Sequence, residues 1–131
     1  MRFYAFNSQT ERQEFGGSAF VEFQFCKMPS NSQIKTIVSV RKIKNWQDDS
    51  LYVYIDDMEK FYKEYANIFS DGIYNNMKTG IVDLYGINYY PPSSINRICE
   101  SIITTKPIDY EALLQWLNKA NKCNGFYILG I

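Results

Sequence analysis

Hydrophobic and polar side chains alternate along residues 19–26, with an apolar residue at almost every second position. A period of two is typical of a strand that buries one face. Residues 51–55 alternate in the same way, which places Tyr52 and Tyr54 on the face opposite to the apolar positions. Both segments are therefore predicted as strands, and a short strand is predicted at residues 2–6.

Residues 34–43 are rich in β-branched side chains and are predicted as a further strand. If Lys44 lies opposite Asp49, this strand and the next one form a hairpin in which Val40 faces Val53. A shift of one residue would exchange the two faces, so the apolar pattern selects this register. The predicted loop of the hairpin consists of Asn45, Trp46, Gln47 and Asp48.

Three later segments repeat apolar residues every three or four positions, as amphipathic helices do. Asp56 or Asp57 is predicted to cap the first helix, Gly72 to end it in the left-handed conformation, and Asp109 to cap the third. The predicted helices cover residues 58–69, 93–105 and 109–117.

The remaining segments complete the predicted fold. Residues 10–18 are polar and are predicted as a loop, whereas residues 80–90 are predicted as a strand that bends at Gly86. Residues 125–131 are almost continuously apolar, which is typical of a buried central strand. The pattern predicts one α+β domain over residues 1–131, with a mainly antiparallel sheet and about three helices packed on one face.

The aromatic content indicates a binding surface in addition to the predicted fold. The chain has 131 residues, of which 17% are aromatic, including 11 Tyr. That is more than a core of this size requires, so some tyrosines are expected at the surface. Tyrosine provides a large contact area at a low cost in rotamer entropy, which favours a binding function.

The charges balance, with 14 basic and 14 acidic residues. A net charge of zero argues against direct binding of nucleic acid, because such binding requires a basic surface that displaces phosphate counterions. The charges are nevertheless clustered, since a basic stretch at residues 35–44 is followed at once by an acidic stretch at residues 48–59.

Several functional classes lack their usual residues. The chain has no histidine, which removes the commonest general base and the commonest metal ligand. No glycine-rich phosphate loop is present, and no cofactor is predicted. The three cysteines, Cys26, Cys99 and Cys123, form neither a disulfide framework nor a zinc motif. With no signal peptide and no apolar run of membrane length, a cytoplasmic protein is expected.

Carboxylates are the remaining chemical groups. They could coordinate Mg²⁺ or Ca²⁺ in a small metal-dependent hydrolase or nuclease, which is one alternative function. The spacing of the aspartates matches no calcium loop, so no metal ligand is assigned. Asp83 interrupts an apolar run and is either a solvent-facing strand position or a site carboxylate.

An acidic stripe with tyrosines is predicted on one face of the sheet, where carboxylates would steer a basic partner and tyrosines would supply contact area. In the alternative structural interpretation, Asp56 and Asp57 only cap a helix, Asp49 pairs with Lys44, and the tyrosines stack on Arg41 or lie beneath a helix. The predicted partner-binding residues are Asp48, Asp49, Tyr52, Tyr54, Asp56, Asp57, Glu59, Asp83, Tyr85, Tyr89 and Tyr90.

The aromatic segment over residues 71–90 and the closing run Gly-Phe-Tyr-Ile-Leu-Gly-Ile suggest a family. In organisation, the chain resembles the small immunity proteins of bacterial contact-dependent inhibition and related polymorphic toxin systems. The resemblance implies a non-enzymatic monomer or homodimer that neutralises a cognate toxin, for example a basic nuclease domain, by covering it. A carbohydrate- or peptide-binding domain with exposed aromatic residues is the other alternative.

Overall fold

A six-stranded antiparallel sheet lies at the centre of the protein, in a computed structural model that describes residues 1–44 and 46–131. The strands are β1 (Phe20–Phe25), β2 (Leu51–Tyr54), β3 (Gly72–Tyr74), β4 (Thr79–Gly80), β5 (Ile87–Tyr90) and β6 (Phe126–Leu129). Their order across the sheet is β2-β1-β6-β5-β3-β4. The predicted α+β class is confirmed, and so is the central position of the last strand, which lies between β1 and β5.

Helices cover both faces of the sheet, and their number within the described residues is five rather than about three. They are α1 (Gln9–Gly16), α2 (Ile34–Ile37), α3 (Met58–Tyr65), α4 (Pro92–Thr105) and α5 (Tyr110–Ala120). The three predicted helices correspond to α3, α4 and α5, which pack on one face of the sheet as expected, whereas α1 and α2 lie on the other face. In the described part of the chain, no helix has the length and apolar character needed to cross a membrane.

Aromatic side chains fill the core between the sheet and helices α3 to α5. Phe23 packs edge to face on Phe61 with ring centroids 5.8 Å apart, and Phe25 stacks on Trp116 at 4.1 Å. The indole Nε1 of Trp116 donates a hydrogen bond of 2.8 Å to the carbonyl oxygen of Asp49, so its polar edge is satisfied. Such rings bury a large apolar area each and dominate the stability of this core.

The predicted strand over residues 34–43 is wrong, and with it the predicted hairpin. These residues form α2 and a 3-10 turn, which cross over the sheet and bury Ile37 and Val38 against it. The hydroxyl of Tyr127 donates to the carbonyl oxygen of Ile37 at 2.7 Å and fixes the segment there. Strand β2 pairs with β1 instead, with Val21 opposite Val53. Asn45 of the predicted loop lies outside the described residues.

The polar segment predicted as a loop is helix α1. Its start is capped, because the Ser8 side chain accepts a hydrogen bond of 3.1 Å from the backbone N–H of Glu11. Only Arg12 is buried along this helix, so the apolar period that identifies most helices is absent. The segment predicted as a strand at residues 2–6 forms a single bridge, in which Tyr4 pairs with Tyr52.

Residues 80–90 do not form one continuous strand. A turn over residues 81–86 separates β4 from β5. Helix α3 ends at Tyr65, and Gly72 belongs to β3 rather than to a left-handed helix end. Asp109 precedes α5, but its carboxylate accepts hydrogen bonds from the backbone of Arg2 and Phe3 instead of capping the helix.

Candidate functional site

The predicted acidic stripe with tyrosines does not form as one exposed surface. Tyr52 faces away from Leu51 and Val53, as predicted, but Phe6, Phe20 and other side chains cover that face. Tyr89 and Tyr90 are also buried, and Tyr54 is half-buried. A fully buried tyrosine cannot supply contact area to a partner, so these residues belong to the interior.

The aspartates are divided between the two ends of β2. Asp48 and Asp49 precede the strand, and the Asp49 carboxylate pairs with the Lys27 ammonium at 2.8 Å. Asp56 and Asp57 follow the strand at the opposite end of the sheet, where a guanidinium nitrogen of Arg2 lies 3.9 Å from Asp57. The two pairs therefore cannot act on the same small site.

Part of the predicted set does converge, in a groove between two segments of the chain. The groove has a volume of about 630 Å³, and one segment that lines it supplies Ile55, Met58, Glu59 and Tyr62. The other segment supplies Val82, Asp83, Leu84 and Tyr85, and Ile131 completes the lining. We call this feature the acidic groove, because its two charged side chains are the carboxylates of Glu59 and Asp83.

Tyr85 lines the acidic groove and is 76% exposed. Tyr62 also lines it and is 39% exposed. The sequence analysis identified Tyr85 as a partner-binding residue but did not single out Tyr62, which lies within the predicted helix over residues 58–69. Helical spacing alone does not reveal that a residue at the margin of the apolar face borders a groove.

Asn88 holds the turn that carries Asp83 and Tyr85. Its buried Nδ2 donates to the carbonyl oxygens of Asp83 at 2.8 Å and of Ile128 at 2.9 Å. On the surface of the turn, the Asp83 carboxylate accepts a hydrogen bond of 2.9 Å from the backbone N–H of Tyr85. The end of the sheet adds a further bond, from the N–H of Ile131 to the carbonyl oxygen of Leu84 at 2.9 Å.

The two carboxylates of the acidic groove have no ion-pair partner in the described part of the chain, as is also true of other exposed acidic residues such as Asp48 and Glu14. Within residues 1–44 and 46–131, neither Glu59 nor Asp83 takes part in an ion pair, whereas Glu64 pairs with Arg2 and Asp71 pairs with Arg97. An unpaired carboxylate at the surface leaves its negative charge available to another molecule.

A second cavity, with a volume of about 590 Å³, lies on the other face of the sheet beside α1. Glu22 lines it and is only 5% exposed. One oxygen of Glu22, Oε2, accepts hydrogen bonds from Ser50 at 2.7 Å and from Gln24 at 3.0 Å, and the Arg12 guanidinium lies 4.0 Å from the other oxygen. Burial raises the pKa of Glu22, although these hydrogen bonds oppose the rise.

The Glu22 cluster joins α1 to the sheet. The guanidinium carbon of Arg12 lies 5.4 Å from the ring centroids of both Trp46 and Tyr52, so the cation packs on aromatic rings as well as near the carboxylate. The sequence placed Glu22 on the polar side of β1, and the covering helix was not predicted. These contacts explain the cluster as an anchor for α1.

No group of three or more acidic or cysteine side chains in the described part of the chain is arranged to hold a metal ion. The chemical groups of the acidic groove are two carboxylates, two tyrosines and the apolar side chains of its lining. When the chain was compared with known protein families, curated proteins and solved structures, no match was found.

Proposed function

We propose that this protein is a non-enzymatic binding module that docks on another protein through the acidic groove. The observation that carries the proposal is the exposed Tyr85, held with Asp83 on a turn that buried Asn88 fixes from beneath. A large aromatic side chain on a rigid support loses little entropy when it is covered, so it is well suited to act as an interface anchor.

The surroundings of the acidic groove support a protein partner. Four residues of its lining are exposed large apolar side chains, namely Ile55, Tyr62, Tyr85 and Ile131, and exposed Ile81 precedes Val82 of the lining. Grouped apolar side chains with polar neighbours are typical of interaction surfaces, whereas single exposed ones are common on any protein. The apolar residues would form the dry centre of the interface.

The unpaired carboxylates of Glu59 and Asp83 support a basic partner, because opposite charges attract it over a distance and orient it on approach. Asp56 lies next to Ile55 and adds to the same negative field. Together with the resemblance in organisation, this favours an immunity protein that covers a cognate toxin, for example a basic nuclease domain. In this proposal the protein acts in the cytoplasm and does not contact nucleic acid itself.

The proposal is tested by capture of a partner from cells that also express the neighbouring reading frames. One stoichiometric protein partner, released at high ionic strength, would support it. The combined variant Asp83→Asn and Tyr85→Ala should weaken capture, and the matched control Asp48→Asn with Met77→Ala, exposed residues outside the acidic groove, should not.

Two outcomes would contradict the proposal. A melting temperature that rises on addition of Mg²⁺ or Ca²⁺, without any protein partner, would favour a carboxylate-based metal-dependent enzyme. Binding of a neutral sugar or peptide that is insensitive to salt would favour an aromatic recognition domain, because stacking on neutral ligands is not screened by ions.

A further inference from the structure

The geometry points to an arginine side chain of the partner as the group that occupies the acidic groove. This inference rests on the proposed function, since it names the chemistry by which the same surface recognises its partner. Three properties of the groove carry it: an apolar floor, two carboxylates without internal ion pairs, and two partly exposed tyrosines, Tyr62 and Tyr85, in its lining.

The floor of the acidic groove suits the aliphatic part of a long side chain. Met58 and Val82 are buried there, and Leu84 is half-buried beside them. The three methylene groups of arginine can pack on such a surface while the charged end stays near water. A short acidic or amide side chain could not cover this floor.

The carboxylates provide acceptors for the charged end. Oδ1 of Asp83 already accepts a hydrogen bond from the N–H of Tyr85, but no described residue donates to its Oδ2 or to either oxygen of Glu59. A guanidinium presents five N–H donors in a planar fork that matches carboxylates. The described lining contains no basic side chain that would repel it.

The tyrosines distinguish arginine from lysine. Tyr62 and Tyr85 both line the groove and remain partly exposed, so both rings can be reached by a ligand. A guanidinium is planar and weakly hydrated, and it stacks on aromatic rings while its edge binds carboxylates. An ammonium group is compact and strongly hydrated, so it would exploit the carboxylates but not the ring faces as well.

The test uses N-acetyl-arginine amide as a probe and N-acetyl-citrulline amide as its neutral control of nearly the same shape. Each is titrated into ¹⁵N-labelled full-length protein and followed by NMR. The arginine compound should shift the amide signals of residues 55–62 and 82–85, with a Kd on the order of millimolar. The citrulline compound should have a Kd at least about fivefold higher. Equal binding of the two compounds, or shifts elsewhere, would overturn the inference.

Two sets of variants locate the effect. Glu59→Gln with Asp83→Asn keeps the side-chain shapes and the oxygen that accepts from Tyr85, so the turn is retained while both charges are lost. This variant should bind the arginine probe with a Kd at least about fivefold higher than that of wild type. The matched control, Asp48→Asn with Glu100→Gln, removes two exposed charges outside the groove and should bind it as wild type does.

The same variants separate this inference from the proposed function. If the protein captures a toxin and Asp83→Asn with Tyr85→Ala weakens capture, but Glu59→Gln with Asp83→Asn binds the arginine probe as wild type does, the arginine site is wrong while the binding function stands. If the arginine probe binds in the groove but no protein partner is captured, the site stands and the toxin-neutralising function fails.

Discussion

Asn88 and Asp83 exchange two hydrogen bonds across the turn that leads into β5. The amide Nδ2 of Asn88 donates to the carbonyl oxygen of Asp83 at 2.8 Å, and the backbone N–H of Asp83 donates to Oδ1 of Asn88 at 2.8 Å. One buried side chain thus satisfies both backbone groups of the residue whose carboxylate faces the acidic groove. The interior of the sheet and the proposed binding surface are linked through this pair.

The first prediction concerns this link. Asn88→Ala should lower the free energy of unfolding by about 1–3 kcal/mol, because it leaves buried backbone groups of the turn without partners. It should also speed hydrogen exchange at the amides of Asp83 and Tyr85. Urea unfolding and exchange measured by NMR check both effects, and Asn118→Ala, at an exposed position of α5, is the control. Unchanged exchange at the turn would show that Asn88 does not fix it.

The second prediction concerns Tyr85. Tyr85→Ala should reduce affinity for the captured partner by about 2 kcal/mol or more, as truncation of an interface anchor does. It should leave the urea midpoint near that of wild type, because the side chain is 76% exposed. Calorimetric titration measures the affinity, with Met77→Ala as the control at another exposed apolar position. Loss of less than about 0.5 kcal/mol would exclude Tyr85 as an anchor.

The third prediction concerns pH and Glu22. Burial raises the pKa of this carboxyl in the folded protein, so the folded state binds a proton more tightly than the unfolded state does. Its contribution to stability is fully present below the unfolded pKa and is lost as pH rises through the folded pKa. Over that window, wild type should lose stability relative to Glu22→Gln by up to about 1.4 kcal/mol per pH unit.

Urea unfolding of wild type and Glu22→Gln at a series of acidic to neutral pH values provides the comparison. The two curves of stability against pH should converge at low pH and separate as pH rises. Parallel curves would mean that the folded and unfolded pKa values of Glu22 are equal. Glu14→Gln, at an exposed position of α1, controls for the change in net charge.

The sequence predicted β1 and β2 well, because the two faces of each of these strands lie in different surroundings. In β1 and β2, apolar side chains alternate with polar or tyrosine side chains because the two faces of the sheet are covered by different layers. The segment over residues 34–43 was misassigned because β-branched side chains also suit a short segment that packs on a sheet. Its position depends on contacts such as that of Ile37 with distant Tyr127, which no local pattern contains.

The candidate site was only partly predicted, because the sequence shows which residues stand out but not which side chains cover them. Glu59, Asp83 and Tyr85 were identified because charged and aromatic residues stand out in the chain, and they do line one groove. Tyr52 was included although it is buried, because strand parity gives the face of a side chain but not what covers that face. Tyr89 was included as a tyrosine that would widen the stripe, and it is buried too. Helix α1, which has no periodic apolar pattern, supplies part of the layer that covers Tyr52.

The last prediction uses two glycines with similar positive φ angles and different surroundings. Gly17 has φ of 68° and Gly125 has φ of 77°. A Cβ atom at Gly17 would meet no atom within 4 Å, whereas one at Gly125 would lie 2.1 Å from the carbonyl oxygen of Tyr90. The carbonyl oxygen of Gly125 also accepts a hydrogen bond of 3.0 Å from Cys26, where β6 joins the centre of the sheet.

Gly17→Ala should therefore cost about 1–3 kcal/mol, since it adds only the backbone strain of a positive φ. Gly125→Ala also adds the strain of a positive φ and in addition forces two central strands apart, so its free energy of unfolding should fall by several kcal/mol more than that of Gly17→Ala. The difference between the two variants is expected to come mainly from the steric clash at Gly125. Equal losses in urea unfolding would mean that the sheet moves aside at Gly125 without cost, which the close packing of β5 against β6 argues against.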